Sequence, residues 1–97
     1  MTPDPMRPDS TTPALLLDAR RRRILFRATH RGTKEADLLV GGFVARHLAA
    51  MDDAELDAVE QVLALPDTDL ADWLTGRRAI PEECETEMLR AMLAATR

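Results

Sequence analysis

Helix-breaking residues divide most of this chain into short segments in which apolar side chains recur every three or four positions. The segments are separated by Gly32, Pro66, Gly76 and Pro81. Recurrence at this spacing predicts amphipathic helices. The composition agrees, because alanine occurs 15 times, tyrosine never, and only three residues are aromatic. We therefore expect an all-α fold, a compact bundle of five short helices.

The apolar stripes define where the five helices should lie and what they should bury. Gly41 and Gly42 lie inside the second helix, where each costs about 1 kcal/mol relative to alanine, so we expect close packing there against a neighbouring helix. The expected helices run from Ala14 to about His30, from about Thr33 to Leu48, from Asp52 to about Leu65, from Asp67 to Leu74, and from Pro81 onwards. The residues expected to face the core are Leu17, Ile24, Ala28, Ala36, Leu39, Val40, Phe43, Val44, His47, Leu56, Val59, Val62, Leu63, Leu70, Trp73, Leu74, Met88, Leu89, Met92 and Leu93.

Three helix starts carry specific signals. Asp52, with Glu55 three residues later, is typical of a capping box. Asp67 follows the break at Pro66 and is expected to cap the fourth helix. Pro81 suits the first turn of the fifth helix, where the positive end of the helix dipole would favour the acidic side chains of Glu82, Glu83 and Glu85.

The N-terminal segment differs in composition from the rest of the chain. Residues 1–13 hold four of the six prolines, with Asp, Ser and Thr between them, which predicts a disordered tail before a helical domain over residues 14–97. Asp4 and Asp9 argue against a mitochondrial presequence, and the N-terminus does not read as a secretory signal because no basic segment precedes an apolar core there. No stretch reaches the roughly 18–20 apolar residues that cross a bilayer. We expect a bacterial cytoplasmic protein without membrane insertion.

Charge is distributed unevenly along the chain. Residues 1–34 hold eight basic and three acidic residues, whereas residues 35–97 hold five basic and 14 acidic ones, for a net charge of −4. The run Arg20–Arg23 invites comparison with nucleic-acid-binding helices, which neutralise phosphates. Consecutive arginines point around the whole helix, however, and the rest of the chain is acidic. A solvated basic face or a contact with an acidic partner is favoured over nucleic acid.

The sequence carries no pattern typical of an enzyme. His30 and His47 are 17 residues apart without further metal-ligand spacing, so no metal site is expected. The single cysteine, Cys84, excludes a disulfide framework, and its glutamate neighbours disfavour a reactive thiolate. The residues favour a protein-interaction module.

The segment from Arg31 to Glu35 is the strongest candidate for a binding site. Arg31 is expected to end the first helix, with its planar guanidinium free to hold a carboxylate or phosphate. Gly32 allows a sharp turn and the close approach of another surface. Glu35 falls in the first turn of the second helix. The alternative is a charged corner in which Arg31 and Glu35 pair only with each other.

Two sequence blocks carry a resemblance to a known family. The first, RRILFRATHRGTKEADLLVGGFVARHL, contains an RGxxE motif at Arg31, Gly32 and Glu35. The second, LPDTDLADWLTG, is similar to a PDxDLxxWL block, matched at Pro66, Asp67, Asp69, Leu70, Trp73 and Leu74. In this order and spacing the blocks resemble the succinate dehydrogenase assembly factor family SdhE, over about residues 14–95. The Gly41–Gly42 pair and the proline-rich leader depart from the family pattern outside RGxxE.

The resemblance implies a five-helix chaperone-like protein that binds the flavoprotein subunit of succinate dehydrogenase, with fumarate reductase as a further candidate client. Family members help that subunit to attach FAD covalently through a histidine, so FAD is the partner's cofactor and this chain holds none of its own. The implied partner-binding residues are Arg31, Gly32 and Glu35, with Arg27, Lys34, Asp67 and Asp69 as supporting contacts.

Other interpretations remain open at this point. Trp73 is expected in the core, and the acidic residues Asp67 and Asp69 beside it fit either a helix cap or a partner contact. An antitoxin-like regulatory module that binds another protein is the alternative function. A monomer is expected in the absence of a partner.

Overall fold

Five α-helices make up most of the described chain. The computed structural model describes residues 17–96. Its helices are α1 (Ala19–Thr29), α2 (Lys34–His47), α3 (Asp53–Leu63), α4 (Asp67–Leu74) and α5 (Glu87–Ala95), with 3-10 turns at Leu48–Ala50 and Glu82–Cys84. Residues 17–96 contain no strand, so the all-α, five-helix prediction is confirmed. The predicted tail over residues 1–13 lies outside the described residues.

Side-chain caps fix where most of the helices begin. Asp18 accepts a hydrogen bond from the backbone N–H of Arg21 at 2.8 Å, so α1 begins at Ala19, and the prediction that residues 17 and 18 are helical is wrong. The predicted capping box of α3 is confirmed, since Asp52 and Glu55 each accept from the other's backbone N–H.

The predicted bounds of α4 are confirmed, but the predicted cap of α4 and the predicted start of α5 are wrong. Pro66 occupies the N-cap position of α4 and Asp67 is its first helical residue, because the Asp67 carboxylate is engaged by another element instead of the α4 backbone. Pro81 precedes the 3-10 turn at Glu82–Cys84 and does not begin α5. Thr86 accepts from the N–H of Leu89 at 3.1 Å and delays the helix to Glu87.

The core lies where α2 meets α1, α4 and α5, with α3 packed against α1 and α5. The predicted apolar stripes are confirmed as buried or half-buried except at His47, which is exposed and packs at a tilt against the ring of Phe43. The buried core cluster comprises Leu17, Ile24, Ala28, Val40, Phe43, Val44, Leu48, Met51, Leu56, Val59, Val62, Leu63, Leu70, Trp73, Leu74, Leu89 and Met92.

The predicted close packing at the glycine pair is confirmed for one glycine only. A Cβ atom on Gly41 would lie 2.9 Å from the carbonyl oxygen of Ala28 and 2.9 Å from Cγ2 of Thr29, so α1 crosses α2 directly over this residue. A Cβ atom on Gly42 would meet nothing within 4 Å. Helix packing therefore requires glycine at position 41 and leaves position 42 unconstrained.

Within residues 17–96, none of the helices combines the length and the hydrophobicity needed to cross a membrane.

Candidate partner-binding site

The connection between α1 and α2 is built for a sharp change of direction. His30 caps the end of α1, and Gly32 has φ +103°, a value that glycine adopts without the strain other residues would incur. Thr33 then caps α2 by accepting from the N–H of Ala36 at 3.2 Å. The predicted turn at Gly32 is confirmed, and a Cβ atom there would meet open space. We call residues 31–35 the RGxxE corner.

Arg31 points into the protein. Its side chain is only 8% exposed. Nε donates to Oδ1 of Asp67 at 2.5 Å, and the two terminal nitrogens donate to the carbonyl oxygens of Leu63 and Leu65, each at 2.8 Å. The expected free guanidinium is therefore wrong, because these acceptors at the end of α3 and the start of α4 use its planar array of donors.

The backbone of Arg31 is also held. Its N–H donates to Oδ1 of Asp37 at 2.6 Å, and Asp37 lies one turn into α2. The RGxxE corner is thus tied to α2 by the Asp37 carboxylate and to the α3–α4 connection by the Arg31 guanidinium. These contacts give the corner a defined position relative to three helices.

Glu35 lies on the surface, with its side chain 47% exposed. Its carboxylate is 3.3 Å from the guanidinium of Arg77, which follows α4 and is itself 58% exposed. The alternative in which Arg31 and Glu35 pair with each other is therefore also wrong. The two ends of the RGxxE corner meet the two ends of α4: Arg31 binds Asp67 at its start, and Glu35 faces Arg77 just past its end.

The four residues predicted as supporting contacts have different surroundings. Lys34 and Arg27 are exposed, and Arg27 lies in the last turn of α1, four residues before Arg31. Asp67 is occupied by Arg31, while Asp69 accepts from Arg78 at 2.7 Å. Hydrogen bonds from Arg78 to Asp69 and then to Asp72 raise the pKa of the Arg78 guanidinium above its ordinary value. The helix-cap interpretation of Asp67 is wrong, and its Oδ1 is engaged by Arg31, although the side chain is 30% exposed.

Sequence reasoning missed two neighbours of Glu35. Leu38 is 64% exposed and lies one turn along α2 on the same side as Glu35. Leu38 is an apolar residue that does not fall on the predicted core face of α2, and this was the sequence signal that it is exposed. Arg77 was missed because its partner is 42 residues away in sequence. The exposed surface around the RGxxE corner combines an open glycine, side chains of both charges and one apolar side chain. It consists of Gly32, Lys34, Glu35, Leu38 and Arg77.

No part of residues 17–96 gathers three or more metal-ligating His, Cys, Asp or Glu side chains. The arrangement suits contact with another protein, because a charged pair that can exchange partners lies beside an exposed apolar side chain.

Comparison with known proteins identifies the family. A family model described as "Flavinator of succinate dehydrogenase" matches residues 22–96, a range that contains both the RGxxE corner and α4. The chain belongs to this flavinator family. The predicted resemblance is therefore confirmed.

Named relatives of the flavinator family cover much of this chain. The FAD assembly factor SdhE of Acetobacter pasteurianus is 52% identical over 81 residues, which cover 84% of this chain and 74% of that protein. The mitochondrial succinate dehydrogenase assembly factor 2 of Dictyostelium discoideum is 33% identical over 72% of this chain and 50% of its own length. The assembly factor 2-B of Drosophila melanogaster is 31% identical over 91% of this chain and 54% of its own length. The chain thus spans about half the length of these two mitochondrial relatives, and the names of the three relatives do not favour the antitoxin-like alternative.

Proposed function

We propose that this protein promotes covalent attachment of FAD to the flavoprotein subunit of succinate dehydrogenase by binding that subunit. Membership of the flavinator family supports a role in FAD attachment. The exposed surface of the RGxxE corner supports the proposal that the protein acts by binding the subunit. The binding site is assigned to this corner because Glu35 is exposed beside Gly32, where the backbone is open to another surface.

Glu35 and Leu38 are the direct contacts in this proposal. Within residues 17–96, the carboxylate of Glu35 is held only by an exposed pair with Arg77, and such pairs contribute about 0–1 kcal/mol. A donor on the partner can therefore replace Arg77 at little cost. Leu38 would lose its exposed apolar surface to the same interface, which is favourable. Lys34 adds a cation at the edge.

Arg31 is a positioning residue. Its guanidinium is buried and hydrogen-bonded within the protein, so it fixes the corner from which Gly32 and Glu35 project. This assignment replaces the expected direct contact of Arg31 with the partner.

This chain contributes no reacting group in the proposal. The partner supplies both FAD, as its own cofactor, and the histidine to which the flavin is attached. Binding favours the conformation of the partner in which the two groups meet, and such positioning can lower a barrier by roughly 7–11 kcal/mol in favourable cases. The role is that of an assembly factor rather than an enzyme.

The test is co-expression of the matching flavoprotein subunit with and without this protein, followed by in-gel flavin fluorescence after denaturation, which detects only covalent FAD. We expect a strong gain with the wild-type protein and little or none with Glu35→Ala. Glu87→Ala is the matched control, because Glu87 is also an exposed first-turn glutamate and pairs with no residue in the described range. Gly32→Leu should also fail, since it fills the open side of the corner.

Two results would contradict the proposal. Absence of any gain, with the subunit folded and FAD present, would remove the function. A full gain with folded Glu35→Ala and Gly32→Leu would leave the function in place and move the binding site away from the RGxxE corner.

A further inference from the structure

Phe26 on α1 is a large apolar side chain that is exposed and does not pack in the core. The residue is 62% exposed, although phenylalanine is among the residue types most often buried. Its ring stacks on the ring of His30, with centroids 4.1 Å apart and planes 15° from parallel. The pair forms a flat aromatic surface at the C-terminal end of α1.

Hydrogen bonds hold this aromatic pair in place. Nδ1 of His30 lies 2.9 Å from the carbonyl oxygen of Phe26 and 3.0 Å from Oγ1 of Thr29. A carbonyl oxygen only accepts, so Nδ1 is the donor, and Thr29 uses its own hydrogen toward the carbonyl oxygen of Leu25 at 2.8 Å. The ring of His30 is therefore fixed against Phe26 before any partner arrives, which reduces the entropy lost on binding.

The arginines of α1 divide into two groups. Arg20 binds Asp57 and Glu60 of α3, Arg21 binds Asp18 and the carbonyl oxygens of Leu48 and Met51, and Arg22 donates to the carbonyl oxygen of Leu17. Arg23 and Arg27 are exposed and make no ion pair or side-chain hydrogen bond within residues 17–96. By helical spacing these two lie one turn apart on the same flank of Phe26, and Arg22 lies on its other flank.

A shallow groove joins the exposed groups. Its volume is about 460 Å³, and it is lined by Ala19, Arg22, Arg23, Phe26 and Arg27. We call this groove with His30 the α1 basic face. It offers an apolar centre with cations around it, although the whole chain carries a net charge of −4.

We propose that the α1 basic face is a second docking surface, which takes an acidic segment of the flavoprotein subunit with an apolar side chain placed on Phe26. The inference rests on the proposed function and adds a surface beyond the RGxxE corner. Carboxylates suit Arg23 and Arg27, whose guanidinium groups form paired hydrogen bonds with them. A protein segment is favoured over nucleic acid because the face is only about two to three helical turns long and the remaining surface is acidic, which repels an extended polyanion.

The test measures the affinity of the full chain for the flavoprotein subunit by biolayer interferometry at low and at high salt. The double variant Arg23→Ala/Arg27→Ala should weaken binding about tenfold at low salt and reduce the salt dependence. Phe26→Ser should weaken it about tenfold at both salt concentrations, and Phe26→Tyr should restore it. Arg46→Ala is the control, because Arg46 is an exposed α2 arginine with no ion pair in the described range. Circular dichroism checks that every variant is folded.

The outcomes separate this inference from the proposed function. Wild-type affinity and salt dependence in both the double variant and Phe26→Ser, together with weak binding by Glu35→Ala, would overturn the second surface and leave the function intact. Absence of binding by the wild-type protein would overturn both. Loss of affinity for a fluorescent single-stranded oligonucleotide in the double variant, with normal affinity for the subunit, would assign the face to nucleic acid and overturn the inference.

Discussion

The guanidinium of Arg31 binds the carboxylate of Asp67 at 2.5 Å, across 36 positions of sequence. These residues belong to the two separate blocks by which the sequence resembles its family. The same guanidinium reaches the carbonyl oxygens of Leu63 and Leu65, so one side chain joins the RGxxE corner to the end of α3 and the start of α4. The two blocks therefore form one structural joint.

Arg31→Ala should destabilise the protein by about 3 kcal/mol, because it leaves a partly buried carboxylate and two carbonyl oxygens without their donor. Arg31→Lys should recover only part of this loss, since an ammonium group cannot reproduce the planar array of donors. Urea unfolding followed by circular dichroism measures both effects.

Arg46→Ala is the control for Arg31 and should change the free energy of unfolding by less than about 0.5 kcal/mol. Arg31→Ala with wild-type stability would contradict the positioning role of Arg31.

The glycine pair in α2 gives a second prediction with opposite signs at adjacent residues. Gly42→Ala should stabilise the protein by up to about 1 kcal/mol, because alanine favours the helix and nothing lies within 4 Å of the new Cβ atom. Gly41→Ala should destabilise it by about 1–3 kcal/mol, because α1 must move away from the new methyl group. Thermal unfolding of the two variants provides the measurement, and a Gly41→Ala variant at least as stable as the wild type would contradict the helix crossing.

The sequence predicts features that depend on local helical periodicity and misses those that depend on contacts between residues far apart in the chain. Burial of Leu56, Val59 and Val62 follows from a local period that any helix imposes, and it was predicted correctly. Asp67 was misassigned as a cap because the local pattern cannot show that an arginine 36 residues earlier uses its carboxylate. The turn at Gly32 is predicted correctly, whereas the direction of the Arg31 side chain depends on tertiary contacts.

Trp73 gives a third prediction. The residue is 3% exposed, as expected for the core, and its Nε1–H has no hydrogen-bond partner in the described structure. Trp73→Phe removes this unpaired donor and should cost about 1 kcal/mol, whereas Trp73→Ala should cost about 4 kcal/mol through the cavity it leaves. Urea unfolding distinguishes them. Equal losses would show that the indole N–H makes a stabilising hydrogen bond.

The cap of α1 predicts that the free energy of unfolding depends on pH. The backbone N–H of Arg21 donates to Asp18, which lowers the pKa of the Asp18 carboxyl from its ordinary value. A pKa lowered by folding means that the cap stabilises the protein above the unfolded-state pKa, at about 4, and loses this effect as pH falls through the folded-state pKa. The stability difference between wild type and Asp18→Asn should therefore change below about pH 4 and stay constant above it, because asparagine caps without titrating. NMR titration of Asp18 at or above its ordinary pKa would contradict this.

The pair between Glu35 and Arg77 gives the sharpest prediction about function. Both side chains are about half exposed, so Glu35→Ala and Arg77→Ala should each cost less than about 1 kcal/mol of stability. Their effects on affinity for the flavoprotein subunit should differ. Glu35→Ala should lose binding, whereas Arg77→Ala should retain it or strengthen it, because the carboxylate no longer has to leave an internal partner. Isothermal titration calorimetry of both variants measures this difference. Equal losses of affinity would mean that the intact pair, rather than the Glu35 carboxylate alone, is what the partner recognises.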